Sequence, residues 1–283
     1  MNWRTFEERI MKALMIASLC VVIGSLISIL LTIVLKGLPA IRWETVSQTP
    51  QGGYYIGKEG GILNAILGSL LLGVGATAVA FVVSLPVAFY LNLYLKKNSR
   101  FSYTIRFLFD VLYGVPAIVY GTFGFTLMIL WGLKASLLAG IMTVAFMIIP
   151  VMARGMDEVL KMVPFELKEA SWAMGTTPWE TATRVIFKQA LPGIVTVILL
   201  GFGRAIGDAA AVLLTAGFTD SLPNSLLRPV ATLPLAVFFQ LATPFPEVQE
   251  RGYAAAFILT VLILVISLIS RILSRQFTRN VVR

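Results

Sequence analysis

Histidine is absent from this 283-residue chain, and cysteine occurs once, at Cys20. The first absence excludes a histidine-ligated metal and a histidine general base. The second excludes an intrachain disulfide framework. Charge is scarce as well: Asp, Glu, Lys and Arg make up 13% of the residues, against roughly 25% in soluble domains. No Gly-x-x-x-x-Gly-Lys-Ser/Thr stretch occurs. The chain therefore lacks the loop that cradles nucleotide phosphates and should not hydrolyse ATP itself.

What is abundant is apolar. Such residues make up 58% of the chain and the mean hydropathy is +0.86. Several runs exceed the ~18–20 residues needed to cross a hydrocarbon core. The pattern predicts an all-α polytopic membrane protein with six spans, at about 13–35, 62–95, 107–131, 136–153, 193–216 and 253–274. Residues 1–12 and 275–283 form short flanking segments. The first run, Ala13 to Leu35, is too long for the core of a signal peptide and no small-x-small cleavage site precedes Lys36, so it reads as a retained span. The second would reach ~50 Å as one helix but is too short for two spans and a turn. It is expected to tilt and to bend near Pro86. Gly132 to Ala135 is so short a link that spans three and four must form a tight antiparallel hairpin.

Basic residues set the orientation. With both termini in the cytoplasm, 16 of the 23 Lys and Arg lie on that side, six lie outside and one, Arg204, lies within a span. This is the positive-inside pattern. The net charge of +9 is spread over separate flanks rather than one stripe, which argues against nucleic acid as a partner. Between spans five and six, Thr232 to Leu241 is an apolar run too short to cross. A re-entrant or interfacial helix and a packed external loop both fit it.

The polar segment 154–192 is organised differently. Pro164 suits the start of a helix, Phe165 to Met174 continue it, and Gly175 suits the left-handed position just past its end. Thr177-Pro178-Trp179-Glu180 then reads as a capping box opening a second helix. The product is a short helix, a glycine turn and a helix returning to the membrane. Phe165, Glu169 and Trp172 share one face of the first helix. So short a helix is marginal alone and is expected to need a partner surface.

The fifth span holds a second constellation, Gly201-Phe202-Gly203-Arg204-Ala205-Ile206-Gly207-Asp208. Ionisable groups inside a span are expensive and by default face a water-filled path or a partner. On a continuous helix Asp208 falls one turn beyond Arg204 on the same face and can pair with it. Gly203 and Gly207 form a small-x-x-x-small pattern that lets helices approach closely. One reading is a structural Arg–Asp pair locking two helices. The other is an anion contact on a translocation path, because the planar donors of guanidinium match an oxyanion in bidentate fashion.

Glu169-Ala170-Ser171 with Gly175 and a following Leu191-Pro192 resemble the EAA loop of ABC importer permeases. In that pattern the terminal proline would fall at Lys188, a departure that bears on the returning helix. Gly203 to Ala210, Asp110 to Gly121, Leu233-Pro234-Leu235, and Phe245-Pro246-Glu247 through Ala254 are similar to the A-type permease subunit of phosphate-specific ABC importers. Family members often carry serine where this chain has Ala117, and glutamate where it has Asp208.

The resemblance implies a type I importer permease of the bacterial inner membrane, a transporter subunit that binds no cofactor of its own. It implies a distinct second permease subunit, two ATPase subunits that use ATP, and an external phosphate-binding protein. Inorganic phosphate would be the cargo, crossing unmodified. Phe165, Glu169, Ala170, Ser171 and Gly175 would dock the ATPase. Arg204 and Asp208 would line the substrate pathway, and Gly203 and Gly207 would pack helices. Molybdate, tungstate or sulfate are alternative cargoes; a channel, secondary transporter or membrane sensor is the alternative class.

Overall fold

The computed structural model describes residues 3–51, 59–95 and 99–278. The expected C-terminal tail, 275–283, lies partly outside them. Helices dominate the described residues. The longest are α1 (Trp3–Gly37), α3 (Leu63–Phe89, continued by a π-helical turn Tyr90–Tyr94), α6 (Leu137–Lys161) and α11 (Pro246–Thr278). Short helix α2 (Trp43–Ser47) and a two-stranded ribbon of β1 (Pro50–Gln51) and β2 (Glu59–Gly60) fill the link between α1 and α3. The remaining helices are α4 (Arg100–Tyr113), α5 (Ala117–Leu130), α7 (Phe165–Ala173), α8 (Pro178–Glu180), α9 (Phe187–Gly207) and α10 (Leu233–Leu241).

Five helical stretches are long and apolar enough to cross a membrane, and a bent pair supplies a sixth if it is counted as one span. Helix α3 packs most extensively on α6, and α9 lies against both. Leu72, Ala76, Val144, Ile148, Met152, Ile194 and Ala205 form the core among these three helices. By contrast, α1 packs chiefly against α11 and its apolar side chains point outward. That is the condition of a helix whose solvent is lipid or another subunit. Beyond Pro86 the irregularity falls at the π-helical turn 90–94, one turn later than the proline.

Two of the expected spans are not continuous helices. Over 107–131 the chain forms α4 and α5, which meet at 98°. Gly114-Val115-Pro116 lies at the corner. Proline disfavours helical geometry in the residue before it and has no N–H to donate, so the helix stops there. Pro116 is extended (φ −59°, ψ 141°) and becomes the N-cap of α5. The Tyr120 hydroxyl reaches back 2.9 Å to donate to the Leu112 carbonyl, fixing the corner. At ~21 Å, α5 is shorter than a bilayer core.

Over 193–216 the helix ends at Gly207. Asp208 adopts extended geometry (φ −87°, ψ 121°), and its carboxylate accepts the Ala211 N–H at 2.7 Å. A side chain that takes a backbone donor in this way competes with the helix ladder. Residues 209–216 continue as turns. Non-helical backbone at this depth is tolerated where protein encloses it, and Ala211, Val212, Thr215 and Ala216 are all buried.

Residues 232–241 contain the nine-residue helix α10. Ser69 accepts the Leu233 N–H at 2.7 Å, and Leu233, Leu235 and Ala236 are wholly buried. Contacts with α3, α9 and α11 hold it inside the bundle.

Candidate functional site

Two polar places stand out in this apolar bundle. The first is the helix–turn–helix of α7 and α8. Pro164 stands at the N-cap of α7, one position before its first turn. Gly175 has φ +78°, the left-handed geometry expected of it, and donates to the Trp172 carbonyl at 2.9 Å. Thr177 and Glu180 form the capping box. The Thr177 hydroxyl accepts the Glu180 N–H at 3.3 Å, and the Glu180 carboxylate accepts the Thr177 N–H at 3.0 Å.

Phe165 and Trp172 meet edge to face, ring centres 6.1 Å apart, on an exposed face. Glu169 and Ala170 are also exposed. Ser171 is not. Buried at the base of α7, its hydroxyl lies 2.7 Å from that of Thr176 and 3.0 Å from that of Thr181, and Thr176 also donates to the Ser171 carbonyl at 2.8 Å. Ser171 therefore holds the turn together from within, while Phe165, Glu169, Ala170 and Trp172 form the outer surface. After α8 the chain passes through a π-helical turn, Thr181–Ile186, and runs on into α9. With Lys188 in place of proline, the return from Pro178 to Gly207 is helical throughout.

The second place is the end of α9. Because the helix stops at Gly207, Arg204 sits in its last turn, where the free carbonyls favour a cation. The pairing with Asp208 expected of a continuous helix does not form. Asp208 has left the helix and turned to the Ala211 N–H. Instead the Arg204 guanidinium lies over the ring of Tyr113, 5.3 Å from its centre.

Stacking uses the face of the guanidinium and leaves its in-plane N–H donors available. Among the described residues Arg204 has no hydrogen-bond or ion-pair partner, and it is exposed. The two helix breaks meet here. A side chain at Gly121 of α5 would place its Cβ 2.8 Å from the Ala210 carbonyl and 3.1 Å from that of Ala211. Only glycine allows so close an approach. On α9 itself nothing lies within 4 Å of where a Gly203 Cβ would be, and Gly207 meets only Ile263, at 3.5 Å. Around Gly203, α9 is thus open among the described residues.

A third polar cluster joins α4 to the C-terminal end of α6. Asp157, whose side chain is wholly buried, takes two hydrogen bonds from Arg106 (2.8 and 2.9 Å), one from Asn92 (2.8 Å), and contacts Lys161 (2.7 Å) and Arg154 (3.2 Å). The sequence reading missed it. Its members are far apart in the chain, Asn92 and Asp157 by 65 residues; the available signal was four cations and three acids between Arg106 and Lys161 in a largely apolar stretch.

A helical membrane bundle with broken helices around an open cation and a capped helix–turn–helix at one end has the build of a membrane transport subunit. Residues 80–283 match the family described as binding-protein-dependent transport system inner membrane component, and the chain belongs to that family of ABC importer permeases. It is an inner-membrane, multi-pass protein. Among relatives, it is 30% identical over 271 residues to the phosphate transport system permease protein PstA of Haemophilus influenzae, covering 95% of this chain and 94% of that one. The PstA of Pasteurella multocida is 32% identical, with 88% and 87% covered. PstA 1 of Mycobacterium tuberculosis is 34% identical, with 78% and 73% covered. Among solved structures, an inward-facing form of the MetNI methionine ABC transporter superposes with a TM-score of 0.64 at 20% identity, covering 76% of this chain and 95% of that chain. At that identity the likeness speaks for the type I importer permease fold alone.

Proposed function

We propose that this chain forms half of the translocation pathway of an ATP-driven importer of inorganic phosphate. The observation that carries the reading is Arg204, a cation held on Tyr113 at a double helix break with its N–H donors unused among the described residues. The names of relatives 30–34% identical over most of their length support phosphate as the cargo. The open face of α9 at Gly203 supports a second permease subunit as the other wall of the path. The exposed face of α7, with Phe165, Glu169, Ala170 and Trp172, is the surface for an ATPase subunit, two of which serve the permease pair. In this scheme both termini and α7 lie in the cytoplasm, and an external binding protein delivers phosphate to the opposite side. ATP binding draws the docking helices together and opens the path outward, and hydrolysis resets it. The chain itself binds no cofactor, and lipid surrounds it.

The test is uptake of labelled phosphate by vesicles holding the complete complex. Hydrogen bonds to a charged group contribute ~1.5–3 kcal/mol, so Arg204→Gln should lower uptake by roughly 10- to 150-fold. Arg204→Lys keeps the charge but not the planar fork and should recover part of it. Uptake by Arg204→Gln at the wild-type rate would reduce Arg204 to a structural residue. Competition by excess sulfate or molybdate as strong as that by unlabelled phosphate would replace the cargo but leave the importer class.

A further inference from the structure

We infer that Asp157 and Arg106 form the joint through which motion of the docking helix reaches Arg204, with α4 as the lever. This rests on the reading of α7 as the place where the ATPase acts. Asp157 lies on the last turns of α6, and only Met162 to Pro164 separate that helix from α7. Its carboxylate is buried, and Arg106 of α4 grips it with two parallel hydrogen bonds of 2.8 and 2.9 Å. The Arg106 guanidinium is itself braced against the Ser102 hydroxyl, at 2.6 Å. A second tie lies one turn along α4, where Asp110 meets Arg154 at 3.1 Å. Asn92 brings in the end of the α3 segment.

With Lys161 and Glu158, the cluster holds three cations and three carboxylates and is neutral overall. Buried ion pairs contribute little net stability, because desolvation offsets their attraction. What such a pair can supply is a fixed geometry. Apolar helices can slide over one another at small cost, whereas a bidentate pair lets go only by exposing a buried charge.

Little else positions α4. Its chief packing partner is α6, and Phe101, Tyr103, Phe107, Leu108 and Val111 are exposed. The same rigid helix ends at Tyr113, whose ring carries the Arg204 guanidinium. Arg106 and Tyr113 stand ~10 Å apart along it. A displacement of the end of α6 is thereby handed to the platform under the cation.

The test uses the whole complex in vesicles, with ATP hydrolysis and phosphate uptake measured together. Asp157→Asn and Arg106→Gln should keep hydrolysis within about twofold of wild type while phosphate moved per ATP falls roughly tenfold. Arg106→Lys should restore part of that ratio. Spin labels at Tyr103→Cys on α4 and Met162→Cys beyond α6, in a Cys20→Ser background, give a direct geometric readout. The distance between them should stay single and narrow in the nucleotide-free and ATP-locked states and broaden in Asp157→Asn. A wild-type phosphate-to-ATP ratio in both uncharged variants would overturn the joint. So would a change of more than about 5 Å between states in the otherwise wild-type labelled protein. Should Asp157→Asn fail to assemble, Arg106→Lys and the wild-type distances decide. Absence of uptake or stimulated hydrolysis in the wild-type complex would instead sink the importer reading, and the distances would still judge the joint.

Discussion

Ser171, Thr176 and Thr181 satisfy one another inside the helix–turn–helix, whereas Arg204, at the end of the helical return that follows, has no acceptor among the described residues. Both places are polar interruptions in an apolar protein, yet they are built in opposite ways. The first closes its hydrogen bonds internally and presents an apolar and acidic surface, so its shape does not depend on what binds it. The second leaves strong donors open beside broken backbone, so its energy depends on what arrives. A docking element has to transmit force and gains from rigidity. A transport site has to bind and release, and gains from holding its donors in reserve.

The comparison can be broken by mutation. The largest effect is expected for Arg204→Gln, which should lower uptake roughly 10- to 150-fold while leaving the thermal midpoint of the purified complex within a few degrees, because among the described residues only the Tyr113 stacking is lost. A large fall in the midpoint would show the two places to be more alike than described. Next comes Gly203→Leu. Its Cβ meets nothing within 4 Å among the described residues, so the subunit should fold, but a second permease on that face should associate more weakly by ~1–2 kcal/mol, about 5- to 30-fold. Co-purification of the two permeases measures this, and unchanged recovery would move the interface elsewhere.

Gly175→Val forces a β-branched residue into φ +78° at a cost of ~1–3 kcal/mol. Loss of ATPase subunits on a size-exclusion column, with the permease pair intact, is the expected result; retention at wild-type ratio would free α7 of the docking role. Smallest is Thr181→Ala, which opens the hydroxyl triad and should cost ~1 kcal/mol locally. Faster proteolysis between Ala173 and Glu180, without change in the phosphate KM, would confirm that this region and the Arg204 site are energetically separate.

Much of the helix–turn–helix was legible in the sequence because its signals are local. A glycine past a helix end and a Thr-Pro-x-Glu box dictate geometry within a few residues, and both are found as expected. The inward turn of Ser171 was not legible: its partners lie five and ten residues away, across a turn whose folding decides which side is inside. The apolar runs indicated a multi-span helical protein, but hydropathy averages over a window. It therefore passed over Gly114-Val115-Pro116, whose punctuation was present, and over Asp208, where a side chain outcompetes the helix for one backbone donor. The assumption of unbroken helix then placed Asp208 under Arg204, one turn away. Tyr113, the actual neighbour of the cation, is 91 positions earlier in the chain, and no periodicity links the two.

The stacking of Arg204 on Tyr113 has an electrical consequence. A guanidinium keeps its proton at any physiological pH, and an aromatic ring, unlike a carboxylate, does not cancel its charge. The Arg204 side chain is thus positive at all times. In the proposed role, a singly charged oxyanion would cancel that charge, and a doubly charged one would exceed it by one. Moving a charge through the membrane field involves ~2.3 kcal/mol per 100 mV. For the importer proposed above, the protonation state in which the cargo arrives would therefore set how much of the ATP-driven work is spent against the membrane voltage.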